Sequence, residues 1–179
     1  MTLVRPSVEN LRSVGNFTQA FRWIIHLAEI PAAVAEAVTS EDLNFRAESS
    51  SIPTRTTTAT EITIRGNTVR QSGQTVYNSP LTIGANETID NKLSELIRKW
   101  QDLAWDSKDG SSGKTAPVEE MQGRIELIRL DQSDNPIYKY TLFGAWLESA
   151  EKGDLDGSTA DPLKPQLGIA FDRFEEGAI

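Results

Sequence analysis

Apolar and polar positions along this chain follow a readable order of strand-like and helix-like segments. From Phe17 the pattern alternates, with Phe17, Phe21, Trp23, Ile25 and Leu27 on one side and Arg22 and His26 on the other. Ile24 is the one apolar exception, and the stretch predicts a half-buried strand. Pro31 then precedes AAVAEAV, which predicts a short helix with the proline in its first turn. LNFRAE, residues 43–48, alternates again, setting Leu43, Phe45 and Ala47 against Asn44, Arg46 and Glu48.

The next stretch, SSSIPTRTTTATEITIRGNTVRQSGQTVYNSPLTI, is rich in Thr, Ser and Arg, and Val69 is its lone apolar residue between Arg65 and Thr75. Thr favours strands, but two polar faces cannot bury a core. The expectation is a long hairpin over about 54–80 that leaves the body and needs a partner. Residues 88–105, TIDNKLSELIRKWQDLAW, place Ile89, Leu93, Leu96, Ile97, Trp100, Leu103 and Ala104 at helical spacing. An amphipathic helix follows, with Thr88 as its expected N-cap and Asp90 at the positive end of its dipole.

DSKDGSSGK, 106–114, reads as a flexible loop, and residues 1–15, ending in Gly15, as an N-terminal arm. Three strand-like runs close the chain: GRIELIRL at 123–130, IYKYTLFGAWL at 137–147 and LGIAFDRF at 167–174. The first two are joined by DQSDNP, whose Asp, Asn and Pro each suit a hairpin turn. The pattern is mainly β with one flanking helix.

At 179 residues the chain has length for one domain with a sizeable core. Its 38% apolar and 25% charged residues, with a net charge of -8, describe a folded protein, and the acidic balance opposes a grip on nucleic acid. With no cysteine, disulfides, Cys-ligated zinc and thiol catalysis are excluded. No run approaches the roughly 20 apolar residues of a membrane span, and MTLVRPSVENLR lacks a secretory signal pattern. The expectation is a protein that crosses no membrane by the usual route.

Candidate chemistry is sparse. His26 is the single histidine and lies within an apolar strand, where a structural or interface role outweighs catalysis. GSSGK lacks the spacing of a phosphate-binding loop. GDLDGS, 153–158, sets Asp154 and Asp156 at the spacing that opens a calcium loop. Positions 6 and 12 of such a loop, however, fall on Thr159 and Pro165 in place of glycine and a bidentate Glu. Asp131 and Asp134 read as a solvated turn. Trp23, Trp100, Trp105 and Trp146 read as core or as subunit contact, core being favoured. No catalytic residue, cofactor or metal is assigned.

The order of these segments resembles the tail tube proteins of contractile-tailed bacteriophages, a fold shared with the tube protein of type VI secretion systems. The resemblance rests on NFTQAFRWIIHL, on LNFRAESSSIP leading into the polar hairpin, on ETIDNKLSELIRKWQ, on IELIRLDQSDNPIYKYTLFGAWLESAEKGDLDGS, and on QLGIAFDRFE. It covers about Asn16 to Glu176 and rests on order, not on a single peptide. The chain departs from it in the Pro31–Val38 insert and the Ser/Gly loop after the main helix.

The resemblance implies one tail-tube domain over 1–179, a small antiparallel β-barrel or sandwich with a flanking helix and a protruding hairpin. It implies a virion structural protein, assembled in the host cytoplasm, whose homohexameric rings stack into a hollow tube that conducts DNA during ejection. Sheath, tail terminator and baseplate proteins would surround it, while tape-measure protein and DNA pass through the lumen without specific binding. Arg55, Arg65, Arg70 and Tyr77 are then inter-subunit candidates on the hairpin. Glu48 and Glu61 are lumen candidates, with salt bridges to Arg46 and Arg65 at a subunit contact as their alternative. The tube protein of a bacterial injection or type VI system stays open as a second reading, and a monomeric ligand-binding β-barrel as a third.

Overall fold

In the computed structural model, residues 8–105, 116–158 and 160–179 are described; the expected loop at 106–114 and the first seven residues lie outside them. Within the expected N-terminal arm, Val8–Ser13 forms a short helix, α1. The core is built on β7 (Pro136–Glu151), a 16-residue strand with neighbours in two sheets. Its first half pairs antiparallel with β6 (Gly123–Leu130) on one side and β9 (Arg173–Ala178) on the other. Its second half, from Trp146 onward, pairs with β8 (Gln166–Ala170). The sheets continue through β1 (Trp23–Glu29) beside β6 at one end, and through β5 (Leu81–Ala85) to β2 (Ala47–Ser50) at the other.

The change of sheet falls at Gly144, whose φ is +66° and where a Cβ would lie 2.2 Å from the Asp172 carboxylate. Only glycine permits that bend and that approach. β1 and β2 are the two ends of the strand path and do not pair with each other. The fold is therefore β-rich with flanking helices, as expected, but it is an open two-sheet sandwich and not a closed barrel.

Between the sheets lies one apolar core. Ile25, Leu81, Ile83, Ile125, Leu142, Leu147, Leu167 and Ile169 are all buried, and the helix α4 (Lys92–Ala104) lays Leu93, Leu96, Ile97 and Trp100 on them. The apolar stripe read from the sequence is the face that packs, which is what an amphipathic helix on a sheet requires. The insert after Pro31 forms α2 (Ala32–Ala35) and contributes buried Val34 and Val38 to the same core.

Several boundaries differ from the sequence expectation, among them the end of β7, which runs to Glu151. The first strand starts at Trp23, because β6 pairs along Trp23 to Glu29; Phe17 lies in the irregular segment before it and Phe21 in a turn, 69% and 72% exposed. LNFRAE is not a strand up to Arg46: Ser40–Arg46 is a helix, α3. Its start is fixed by a capping box in which Thr39 Oγ1 accepts from the Asp42 amide while the Asp42 carboxylate accepts from the Thr39 amide.

The main helix begins at Lys92 and not near Thr88, since Asn91 sits at φ +54° and breaks the turn. Its N-terminus is covered by Glu87, whose carboxylate accepts from the amides of Leu93 (3.3 Å) and Ser94 (2.7 Å). Ile89 is fully exposed and so leaves the core stripe, and Trp105, favoured as core from the sequence, is 62% exposed. The closing run 167–174 divides into β8 and β9 at Phe171–Asp172.

α3 closes what would otherwise be a free edge. Asn44 Oδ1 accepts from the Ile25 amide and its Nδ2 donates to the Ile25 carbonyl, both at 2.7 Å, while Ser40 Oγ accepts from the Leu27 amide at 2.8 Å. The Asn44 amide takes the place of a neighbouring peptide group, and the edge of β1 is blocked there. Asn44→Ala is expected to cost about 1–3 kcal/mol through the two stranded backbone groups and to promote association through the bared edge. Urea midpoints with light scattering read both effects; an unchanged midpoint would show that water replaces the side chain.

Candidate assembly interface

The hairpin is made from residues that favour strands for local reasons. β3 (Thr54–Ile64) is dominated by Thr and Ile, and β4 (Asn67–Asn78) returns along it in antiparallel register from Thr54 opposite Asn78 to Ile64 opposite Asn67. Arg65 and Gly66 make the two-residue turn, with φ of +49° and +81°. Positive φ at both positions matches the twist of the flanking strands. Cross-strand side chains add support: Thr57 to Thr75 at 3.1 Å, Thr63 to Thr68 at 3.2 Å, and Arg70 Nε to Glu61 at 2.7 Å.

This ribbon forms its own two-stranded sheet, separate from the main one, and every residue of β3 is exposed. An isolated hairpin is marginal in water. The register divides its faces. Thr57, Glu61, Thr63 and Arg70 share one face with Tyr77, whereas Ile62, Ile64 and Val69 gather on the other, 40%, 63% and 52% exposed. The expectation of two polar faces is thus corrected: the distal part of one face is apolar. The alternation Ile62-Thr63-Ile64 carried that signal, and it is hidden by the surrounding Thr.

The sequence-selected residues occupy different parts of the molecule. Arg65 is in the turn, Arg70 is held by Glu61, and Arg55 lies opposite Tyr77 at the root. Tyr77 packs edge-on to Phe174, centroids 5.5 Å apart, so it anchors the root to the core. Glu48 lies on β2 and pairs with Lys164 at 2.9 Å, whereas Glu61 lies far out on the ribbon. Within one chain Glu48 and Glu61 are held by Lys164 and Arg70, and not by the Arg46 and Arg65 expected as their partners at a subunit contact. Arg46 instead joins Asp42, Asp90 and Thr88, and so takes Thr88 and Asp90 from the helix-capping role expected of them.

That last network is the strongest electrostatic feature of the described residues. Asp42 also receives Lys92 Nζ at 2.7 Å and Thr39 Oγ1 at 3.0 Å, and these hydrogen bonds, Lys92 first, hold its pKa down to about 2. The folded state binds that proton more weakly than the unfolded chain, whose Asp titrates near about 3.9. The stabilisation is therefore complete above the unfolded value and is lost as pH falls through about 2. The melting difference between the protein and Asp42→Asn should be constant from neutral pH to about 4.5 and close toward pH 2. A difference that closed by pH 4 would contradict the pairing.

The remaining candidates have local partners. His26 is exposed and its Nδ1 lies 3.0 Å from Glu126, which also receives Lys139 at 3.1 Å. Asp131 accepts from the amides of Ser133 and Asn135, giving the DQSDNP turn its shape. Asp156 accepts from the amide and hydroxyl of Ser158, so GDLDGS is a turn in the connector to β8. Among the described residues no three His, Cys, Asp or Glu side chains gather as a metal site.

No family model matches the sequence. No curated protein matches it either. The fold, however, is shared with solved structures. It matches a chain in the 6-fold symmetrised cryo-EM structure of the anti-feeding prophage baseplate at a TM-score of 0.66 and 13% identity, covering 91% of this chain and 97% of that one. A chain in the sheath/tube terminator of the PVC extracellular contractile injection system, in its extended state, matches at 0.63 and 14% identity over 92% and 99%. A chain in the sheath-tube complex of that system matches at 0.57 and 13% identity over 98% and 100%. The chain has a tail-tube-like fold, the fold of subunits in contractile injection particles.

Proposed function

We propose that this chain is a structural, non-catalytic subunit of the inner tube of a phage tail or of a related contractile injection particle. Homohexameric rings of it stack into a hollow tube. The observation that carries the reading is a ribbon about 36 Å long, at 3.3 Å per residue, that its own monomer leaves exposed. A hairpin of that size costs ordering entropy that burial against a neighbour offsets. The likeness to chains of sheath-tube and terminator structures supports sheath, terminator and baseplate proteins as neighbours, and a place inside the particle. In a phage tail the lumen passes tape-measure protein and DNA.

Negative-stain microscopy of the purified protein is the direct test. Rings or tubes are expected, and a stable monomer at every concentration, with a small apolar ligand in its body, would replace this reading with the ligand-binding one.

Glu48 and Glu61 remain the proposed lumen acids, each repeated around the ring. Double-stranded DNA carries about one charge per 1.7 Å, so a basic lining binds it through counterion release while an acidic one lets it pass. The double change Glu48→Lys and Glu61→Lys should give tubes that retain double-stranded DNA in low salt and release it in high salt. Failure to form tubes would place both acids at a subunit contact instead.

A further inference from the structure

The two strands of the ribbon do not keep step with each other. Thr57 stands opposite Thr75 and Ala59 opposite Ser72, so two steps along β3 are matched by three along β4, and Gly73 and Gln74 together face Thr58. Such a β-bulge bends the strand that carries it and raises the local twist. The residues around it suit it. A Cβ on Gly73 would lie 2.7 Å from Thr60 Oγ1 and 3.0 Å from the Thr58 carbonyl oxygen, so a side chain there would push the strands apart. Thr58 Oγ1 donates to the Gln74 carbonyl at 3.1 Å, a side-chain bond placed where the backbone ladder is interrupted.

The two ends of the ribbon impose registers that differ by one residue. At the root, Tyr77 stands opposite Arg55 and is tied to the core through Phe174. At the tip, the two-residue Arg65–Gly66 turn requires Ile64 opposite Asn67. Counted outward from the root without interruption, Ile64 would face Thr68, and a two-residue turn could not close. The extra residue of β4 reconciles the two. It also decides the faces: Val69 and Tyr77 are eight positions apart, and an unbroken strand would set both on one side. With the bulge, Val69 joins Ile62 and Ile64 on the face opposite Tyr77.

We infer that the Gly73–Gln74 bulge, pinned by Thr58, is the positioning element of the hairpin. Its bend sets the direction in which the distal ribbon leaves the body, and with it the angle at which successive subunits meet. The inference rests on the tube reading and adds to it the residues that aim the ribbon. The bulge is well placed for this. Below it the root is held by Asn78 bonded to Thr54 at 2.8 Å and by Tyr77 on Phe174, whereas beyond it every residue of β3 is exposed. A bend at that point turns the distal ribbon as a unit, and from Ala59 to Ile64 that unit is about 20 Å long at 3.3 Å per residue.

Deletion of Gln74 is the test, because it removes the bulge and keeps both end registers: Thr57 still faces Thr75, Ala59 still faces Ser72, and Gly73 faces Thr58 alone. The chain has no cysteine, so spin labels on Glu41→Cys in α3 and Ile64→Cys at the tip, both exposed positions, report where the tip points in the dilute single subunit. The deletion is expected to leave the melting temperature unchanged and to move the label-to-label distance by several ångström. Under assembly conditions it should give tubes whose twist per ring differs from the parent's, or none. Thr58→Val should broaden the distance distribution, and Thr58→Ser, which keeps the hydroxyl, should not. An unchanged distance, or tubes with the parent's twist and rise, overturns the inference and leaves the tube reading standing. A large fall in melting temperature overturns it too, since the bulge would then support the body. If the parent itself forms no rings or tubes, the tube reading falls, and the label distance still decides whether the bulge aims the ribbon.

Discussion

Trp100→Ala is expected to destabilise the protein by about 3–5 kcal/mol, a large share of the roughly 5–15 kcal/mol available to a domain. Trp100 is only 3% exposed, stands on the core-facing side of α4, and donates its Nε1 proton to the Met121 carbonyl at 3.1 Å. Truncation removes the indole's apolar contacts, opens a cavity and strands a carbonyl. The three losses share a sign. At about 2–4 °C per kcal/mol for a chain of this size, melting falls by about 6–20 °C. Trp100→Phe separates the terms, since it keeps most of the volume but not the donor, and should cost the smaller part. Denaturant unfolding followed by circular dichroism measures both. A loss under 1 kcal/mol for the alanine variant would mean that the helix settles onto the sheet and refills the space.

The sequence exposed those parts of the fold that depend on local pattern. The strand 123–130 is β6 residue for residue, because one buried face and a turn rich in Asp and Asn leave no second register. The stripe Leu93, Leu96, Ile97 and Trp100 is legible because a helix has one period and one buried face. Leu43 to Arg46 misled for the opposite reason. Alternation over four residues fits a strand and also one helical turn, and the decision lies upstream in Thr39 and Asp42, a capping signal in plain view.

Other features could not be read locally. That β1 and β2 fail to meet is a property of strand order, which no local pattern contains. Glu48 meets Lys164 across 116 positions, a pairing that no local charge pattern contains.

Replacing Thr58–Gln74 by Asn-Gly is expected to abolish rings and tubes while leaving the monomer as stable as before to within about 1 kcal/mol, since a two-stranded ribbon alone is marginal. Thr57 and Thr75 face each other in the register, so a two-residue turn with positive φ closes the shortened hairpin without changing its twist. Every side chain that anchors the root is kept, including Tyr77 against Phe174 and Asn78 bonded to Thr54 at 2.8 Å. None of the deleted residues belongs to the core, while Ile62, Ile64 and Val69 all go. The deletion therefore separates two roles that a point change leaves mixed. If the melting temperature collapses, the ribbon supports the body and its exposure misleads. If tubes still form, the subunits are joined by the sheets alone. Loss of assembly with an unchanged melting curve is the result that makes the hairpin an arm.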